Sequence, residues 1–195
     1  MFPGPLKPIP CAHMGQTSVR RIGPRTRVTA SPCDAMKRAA MIDVEALIRL
    51  QVASFARAEP GLRSSWPRDS GMDAAELRAF LDEHRYCVLA TATARACPMA
   101  RPVAFTVVGA SFWFATVAGA RLRNLEQAPW ASIVIAEGDA GEHRAVAVDG
   151  PVTITRQPSE RLLTAWETRH GSRADWAAAW FEIQPTRLIS YSAAG

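Results

Sequence analysis

Arg121 and Arg123 stand in the first turn of a short helical stretch, where a cation is least favoured by the helix dipole. The segment that carries them begins as a strand. Phe112 to Thr116 are aromatic, small or β-branched, with no charge. The chain breaks at Ala118-Gly119 and resumes with Leu122 and Leu125 at i, i+3, until Pro129 closes the helix. A strand that passes through glycine into a helix start leaves backbone N–H groups unpaired, and these can seat an anion. Guanidinium groups beside such a seat suit phosphate. Taken alone, the stretch is equally served by two arginines in solvent, the commoner outcome.

Other chemistries find little support. His13, His84, His143 and His170 are scattered, and no histidine or cysteine pair has metal-ligand spacing, so no metal site is expected. A nucleophile elbow G-x-S-x-G is missing, as are G-x-G-x-x-G and the phosphate-loop motif. Cys87 lies in an apolar strand and reads as core; Cys97, in a turn beside Pro98, reads as a surface thiol. Glu137, Asp139 and Glu142 share one loop and read as a solvated hairpin tip.

The elements that must position the arginines follow from periodicity. Residues 43–58 predict a helix with Asp43 as N-cap, ended by Pro60-Gly61, and residues 59–71 predict a linker. Asp73-Ala-Ala-Glu76 predicts a capping box that opens a helix to about His84. Strands are expected at 86–93, 101–108, 112–116, 131–136, 144–149 and 151–155, the last two separated by a bend at Gly150. Gly109-Ala110 has the sequence of a type II′ hairpin loop. Pro158-Ser159 starts a helix that Gly171 ends, a short helical piece spans 174–179, and two strands near 180–184 and 187–191 close the chain. Short strands joined by hairpins, with few helices, predict a mainly β fold built as a small antiparallel barrel.

The chain of 195 residues is 48% hydrophobic, enough for one domain with additions, and contains no apolar run that would cross a membrane. Its net charge of +5 is concentrated in residues 1–40, which hold seven basic residues against Asp34 alone. The remainder is slightly acidic, so no nucleic-acid partner is expected for the folded part. Residues 1–40 also hold six of the fourteen prolines and read as a disordered tail. That tail could bind an acidic partner, serve as a targeting peptide, or be a product of an over-long start with Met36, Met41 or Met72 as later starts; the last reading is favoured. The expected organisation is a tail over 1–40, a helix with linker over 41–71 and a domain over 72–195. Without C-x-x-C pairs among the four cysteines, a reducing cytoplasmic setting is expected.

One family has these features in this order: V-L-A-T (88–91), R-P-V-A-F (101–105), F-x-T with a glycine (114–119), R-x-R-N-L…P (121–129) and V-A-V-x-G-P (146–151). Over residues 72–192 the chain resembles the pyridoxamine 5′-phosphate oxidase-like superfamily, the flavin-binding split β-barrel. The resemblance implies a barrel of about six strands and a homodimer with two flavins at the subunit seam. It implies a flavin phosphate held by Arg101, Arg121 and the Thr116 hydroxyl, with Arg123 and Asn124 in the same helix start. Backbone groups of Pro102, Val103 and Ala104 would meet the flavin ring. A lysine near Thr106, a glutamine near Ala145 and a C-terminal arginine–histidine pair, which the pyridoxamine phosphate oxidases proper carry, are missing, so that substrate is not expected.

Beside the blander reading of a structural dimer with a vestigial pocket, two classes of function follow. One is an oxidoreductase using FMN, or the deazaflavin F420, to move a hydride to or from a small-molecule substrate; the cofactor supplies the reactivity, and no catalytic dyad is needed. Trp176 and Trp180 could then cover the ring, although ordinary packing is their commoner use. The other is a non-catalytic carrier of flavin, haem or another tetrapyrrole, with His84, His143 or His170 as the axial ligand of a haem.

Overall fold

The computed structural model describes residues 42–65, 70–138 and 143–193. The expectations for the tail and for Asp139 and Glu142 lie outside the described residues. Among the described residues five helices are formed: α1 (Val44–Ala56), α2 (Pro60–Ser65), α3 (Ala74–Glu83), α4 (Ala120–Gln127) and α5 (Glu160–His170). The eight strands are β1 (Tyr86–Ala92), β2 (Pro98–Ala104), β3 (Thr106–Val108), β4 (Ser111–Thr116), β5 (Trp130–Gly138), β6 (His143–Thr155), β7 (Ala179–Ile183) and β8 (Arg187–Ala193). They form one antiparallel sheet in the order β2-β1-β5-β6-β7-β4-β3, with β8 on β6. The fold is therefore the expected mainly β half-barrel, with eight strands where about six were implied.

Local chemistry sets most element ends. Asp43 accepts from the Ala46 N–H at 3.0 Å to cap α1. Asp73 and Glu76 form the capping box of α3 in both directions. Ser159 caps α5, and Gly171, at φ 75°, ends it in the left-handed region that glycine reaches without strain. Gly109 has φ 64° and Ala110 has no positive φ, as a type II′ loop between β3 and β4 requires.

Four segments depart from the sequence reading. Residues 59–71 contain α2, because Pro60 is its first residue, where a missing N–H costs nothing, rather than the terminator of α1. Strand 101–108 breaks at Phe105, whose carbonyl accepts from His170 Nε2 at 3.0 Å, while its N–H donates to the Arg85 carbonyl at 3.2 Å. Residues 174–179 form no helix. Ala177 N–H bonds the Ala174 carbonyl in a tight turn, and Ala178 N–H is taken by the Thr116 carbonyl at 2.9 Å, so no helical ladder can propagate.

The fourth departure is Gly150. Residues 143–155 run as one strand that keeps β5 on one edge over 143–151. On its other edge it pairs with β8 over 143–149 and with β7 over 152–155. Gly150 sits at the hand-over. A Cβ there would lie 2.1 Å from the Gln184 carbonyl oxygen, so glycine is needed for close backbone approach and not for a bend.

The core is filled from the inward faces by Phe105, Phe112, Phe114 and Phe181, with Phe114 and Phe181 stacked at 4.8 Å. Residues of α1, including Val44 and Leu47, belong to the same core cluster. A second cluster holds α5 against β4 and β7, with Trp166 edge-on to Trp180 at 5.1 Å. Trp180 is thereby packing, as its commoner use suggested. Trp176 remains 57% exposed in the loop bonded to Thr116.

Candidate functional site

The β1–β2 ladder sets the geometry. Its register places Cys87 opposite Val103, Leu89 opposite Arg101 and Thr91 opposite Met99. Directly opposed residues share a sheet face. Cys87, Leu89 and Thr91 are buried, so Arg101 belongs to the inward face, between Met99 and Val103, on the outermost strand of the sheet order. Its own side chain is exposed and donates to the Ala100 carbonyl at 2.7 Å.

Helix α4 reaches the same face. Asn124 Nδ2 donates to Thr91 Oγ1 at 3.3 Å and lies 3.4 Å from Met99 Sδ. Arg121 is one turn earlier on that side of the helix and is close enough to Cys87 for the two to act on each other electrostatically. Arg121 and Arg101 are therefore both assigned to the inward face of one two-stranded ladder. Burial pushes the Cys87 thiol up to about 12, against the pull of Arg121, so this cysteine is an inert core thiol. Burial likewise lowers the pKa of the Arg121 guanidinium. Among the described residues, no carboxylate forms an ion pair with Arg101 or Arg121, although seven ion pairs form elsewhere.

The N-terminus of α4 is open. Gly119 is its N-cap, in extended backbone, and offers no side chain to the first N–H groups. A Cβ built at Gly119 would meet nothing within 4 Å. An uncapped helix start, open space beside it and two guanidinium groups without carboxylate partners fit a phosphate monoester.

The remaining candidates divide. Thr116 is buried at the end of β4, and its hydroxyl donates to the Val117 carbonyl at 3.2 Å. Asn124 holds α4 on the ladder, which gives its amide a positioning task. Arg123 is exposed, two residues and so about 200° around the helix from Arg121, and is not brought to the shared face. Pro102 and Ala104 turn their backbone away from β1. The Phe105 N–H bond to Arg85 fixes the phase of the ladder, so odd-numbered residues of β2 bond β1 and even-numbered ones line the open edge. Pro102 thus removes no ladder bond, and Val103 contributes a buried side chain. Thr91 and Met99, which orient Asn124, had no signal in the sequence.

The outward face of the same strands is apolar. Tyr86, Val88 and Val134 are exposed, with Val88 opposite both Pro102 and Val134. No outward-facing residue of Tyr86–Ala90, Ala100–Ala104 or Ser132–Ala136 in these ladders carries a charge.

Residues 74–192 match the pyridoxamine 5′-phosphate oxidase family, and the chain belongs to that family. Solved structures agree on the fold. A conserved hypothetical protein from Mycobacterium tuberculosis is similar with a TM-score of 0.57 and 23% identity, over 65% of this chain and 89% of its own. HutZ, a haem storage protein from Vibrio cholerae, gives 0.55 and 23%, over 62% and 95%. An FAD-binding protein from Mesorhizobium loti gives 0.53 and 21%, over 64% and 96%. No curated protein sequence matches the chain. No helix among the described residues is long and apolar enough to cross a membrane.

Proposed function

We propose that this protein binds a flavin by its terminal phosphate, with FMN as the cofactor, and works as an oxidoreductase on a small molecule. The observation that supports this reading is the placement of Arg101 and Arg121, both without carboxylate partners, on one ladder face that an uncapped helix start accompanies. A bound flavin would supply hydride chemistry at its ring; this chain would supply the charge that holds the phosphate and the edge of β2 that meets the ring. A second copy of the chain covers the apolar face of β2, β1 and β5, since an uncharged face opposes itself without unpaired charge. That places the β2 edge near the subunit seam. Of the histidines that the haem alternative could use as axial ligand, His170 gives its Nε2 to the Phe105 carbonyl, which leaves His84 and His143 for that reading.

The purified protein should show flavin absorption rather than a Soret band, and light scattering should give twice the mass of one chain. Arg101→Ala combined with Arg121→Ala should weaken FMN binding on the order of a hundredfold or more, because two charge-assisted contacts are lost. Unchanged affinity would refute the phosphate assignment. Titration with FMN and with F420 separates the two cofactors, and reduction by NADPH or reduced F420 separates an enzyme from a carrier.

A further inference from the structure

We propose that Glu83, His84 and Glu137 form a divalent transition-metal site, of the class that zinc occupies, independent of the flavin site. The three side chains come from the end of α3 and from β5, and their ligand atoms all lie within 4.8 Å of one another. The orientation of His84 points to a cation. Its Nδ1 lies 2.8 Å from the Phe80 carbonyl oxygen. A carbonyl can only accept, so Nδ1 carries a hydrogen. In the neutral ring Nε2 is then a bare lone pair, and it faces Glu137 Oε2 at 2.9 Å. A cation must join the two: a proton on Nε2, which makes an ordinary imidazolium–carboxylate pair, or a metal ion in its place. A histidine whose far nitrogen donates to a backbone carbonyl while the near one faces carboxylates has the second-shell arrangement of a metal ligand.

The donor set of one imidazole and two carboxylates matches zinc and similar ions, with coordination positions left for water. The His84 ring is held at 4.1 Å from the Phe80 ring, and its side chain is only 17% exposed. Arg144 now contacts both carboxylates, reaching Glu83 Oε2 at 3.2 Å. It is a built-in competitor for the metal. This gives the proposal a sign that a plain salt-bridge cluster would not share.

The test is calorimetric titration of ZnCl2 into the chelator-treated full chain, repeated with Co2+ to read the ligand field by visible absorption. The expected result is saturable uptake assigned to this site, lost in His84→Ala and in Glu137→Gln, and tightened about tenfold in Arg144→Met as a neighbouring positive charge is removed. Glu137→Gln keeps side-chain shape and serves if His84→Ala does not fold, which circular dichroism reports. The proposal is overturned if no saturable uptake occurs, if uptake survives Glu137→Gln unchanged, or if Arg144→Met fails to tighten it.

Discussion

A chain shortened to begin at Met72 is expected to lose its cooperative fold, although it keeps every residue that matches the family. Helix α1 covers β8 and contributes Val44, Leu47 and Phe55, with Ile42 just before it, to buried positions. Burying four such side chains is worth roughly 6–12 kcal/mol, against a typical total stability of about 5–15 kcal/mol. The polar contacts add to the loss. Gln51 Nε2 donates to the Met72 carbonyl at 2.9 Å, and its Oε1 accepts from Ser190 Oγ at 2.5 Å. Ser54 Oγ accepts from the Leu188 N–H at 3.1 Å, so removal of α1 leaves a strand donor without its partner. A start at Met36 or Met41 retains α1 and should melt as the full chain does. Thermal melts followed by circular dichroism compare the three starts; a native melt from the Met72 start would show that α1 is dispensable.

Gly150→Ala should destabilise the protein by about 3 kcal/mol or more. The added methyl group would sit 2.1 Å from the Gln184 carbonyl oxygen and 2.9 Å from its carbon. Neither atom can retreat cheaply. Gln184 N–H donates to the Pro151 carbonyl at 3.1 Å, and Thr186 N–H donates to the Asp149 carbonyl at 2.9 Å, so the turn between β7 and β8 is tied to β6 on both sides of Gly150. Separation at this point loosens the hand-over that joins the two parts of the sheet. Chemical denaturation should show a lower midpoint with an unchanged slope. A midpoint equal to that of the parent protein would mean that the turn can shift without breaking those bonds.

The local signals in the chain were reliable where the physics is local. Asp73 and Glu76 cap their own helix, Ser159 and Gly171 bound α5, and Gly109 turns a hairpin, because each needs only its near neighbours. Readings failed where a distant partner decided. Pro60, which starts a helix instead of ending one, is the exception, since its own missing N–H at the first helical position is a local cause. Gly150 answers to Gln184 across a strand pair. The 174–179 segment surrenders an N–H to Thr116 and stays a turn.

The candidate site divides the same way. Residue types alone marked Arg121 beside a helix start and Arg101 on a strand, and family resemblance tied both to a phosphate. Only the β1–β2 register and the Asn124 contacts set them on one face, and only helical rotation took Arg123 away from it. Glu83 and His84 gave no metal signal because Glu137, the third side chain of the proposed site, lies on β5, remote in sequence from the end of α3. Side-chain type and short-range spacing are written in the order of residues, so caps, turns and strand periodicity could be read from it. Proximity between remote groups arises when sheet register and core packing bring them together, and that was decided by the tertiary structure.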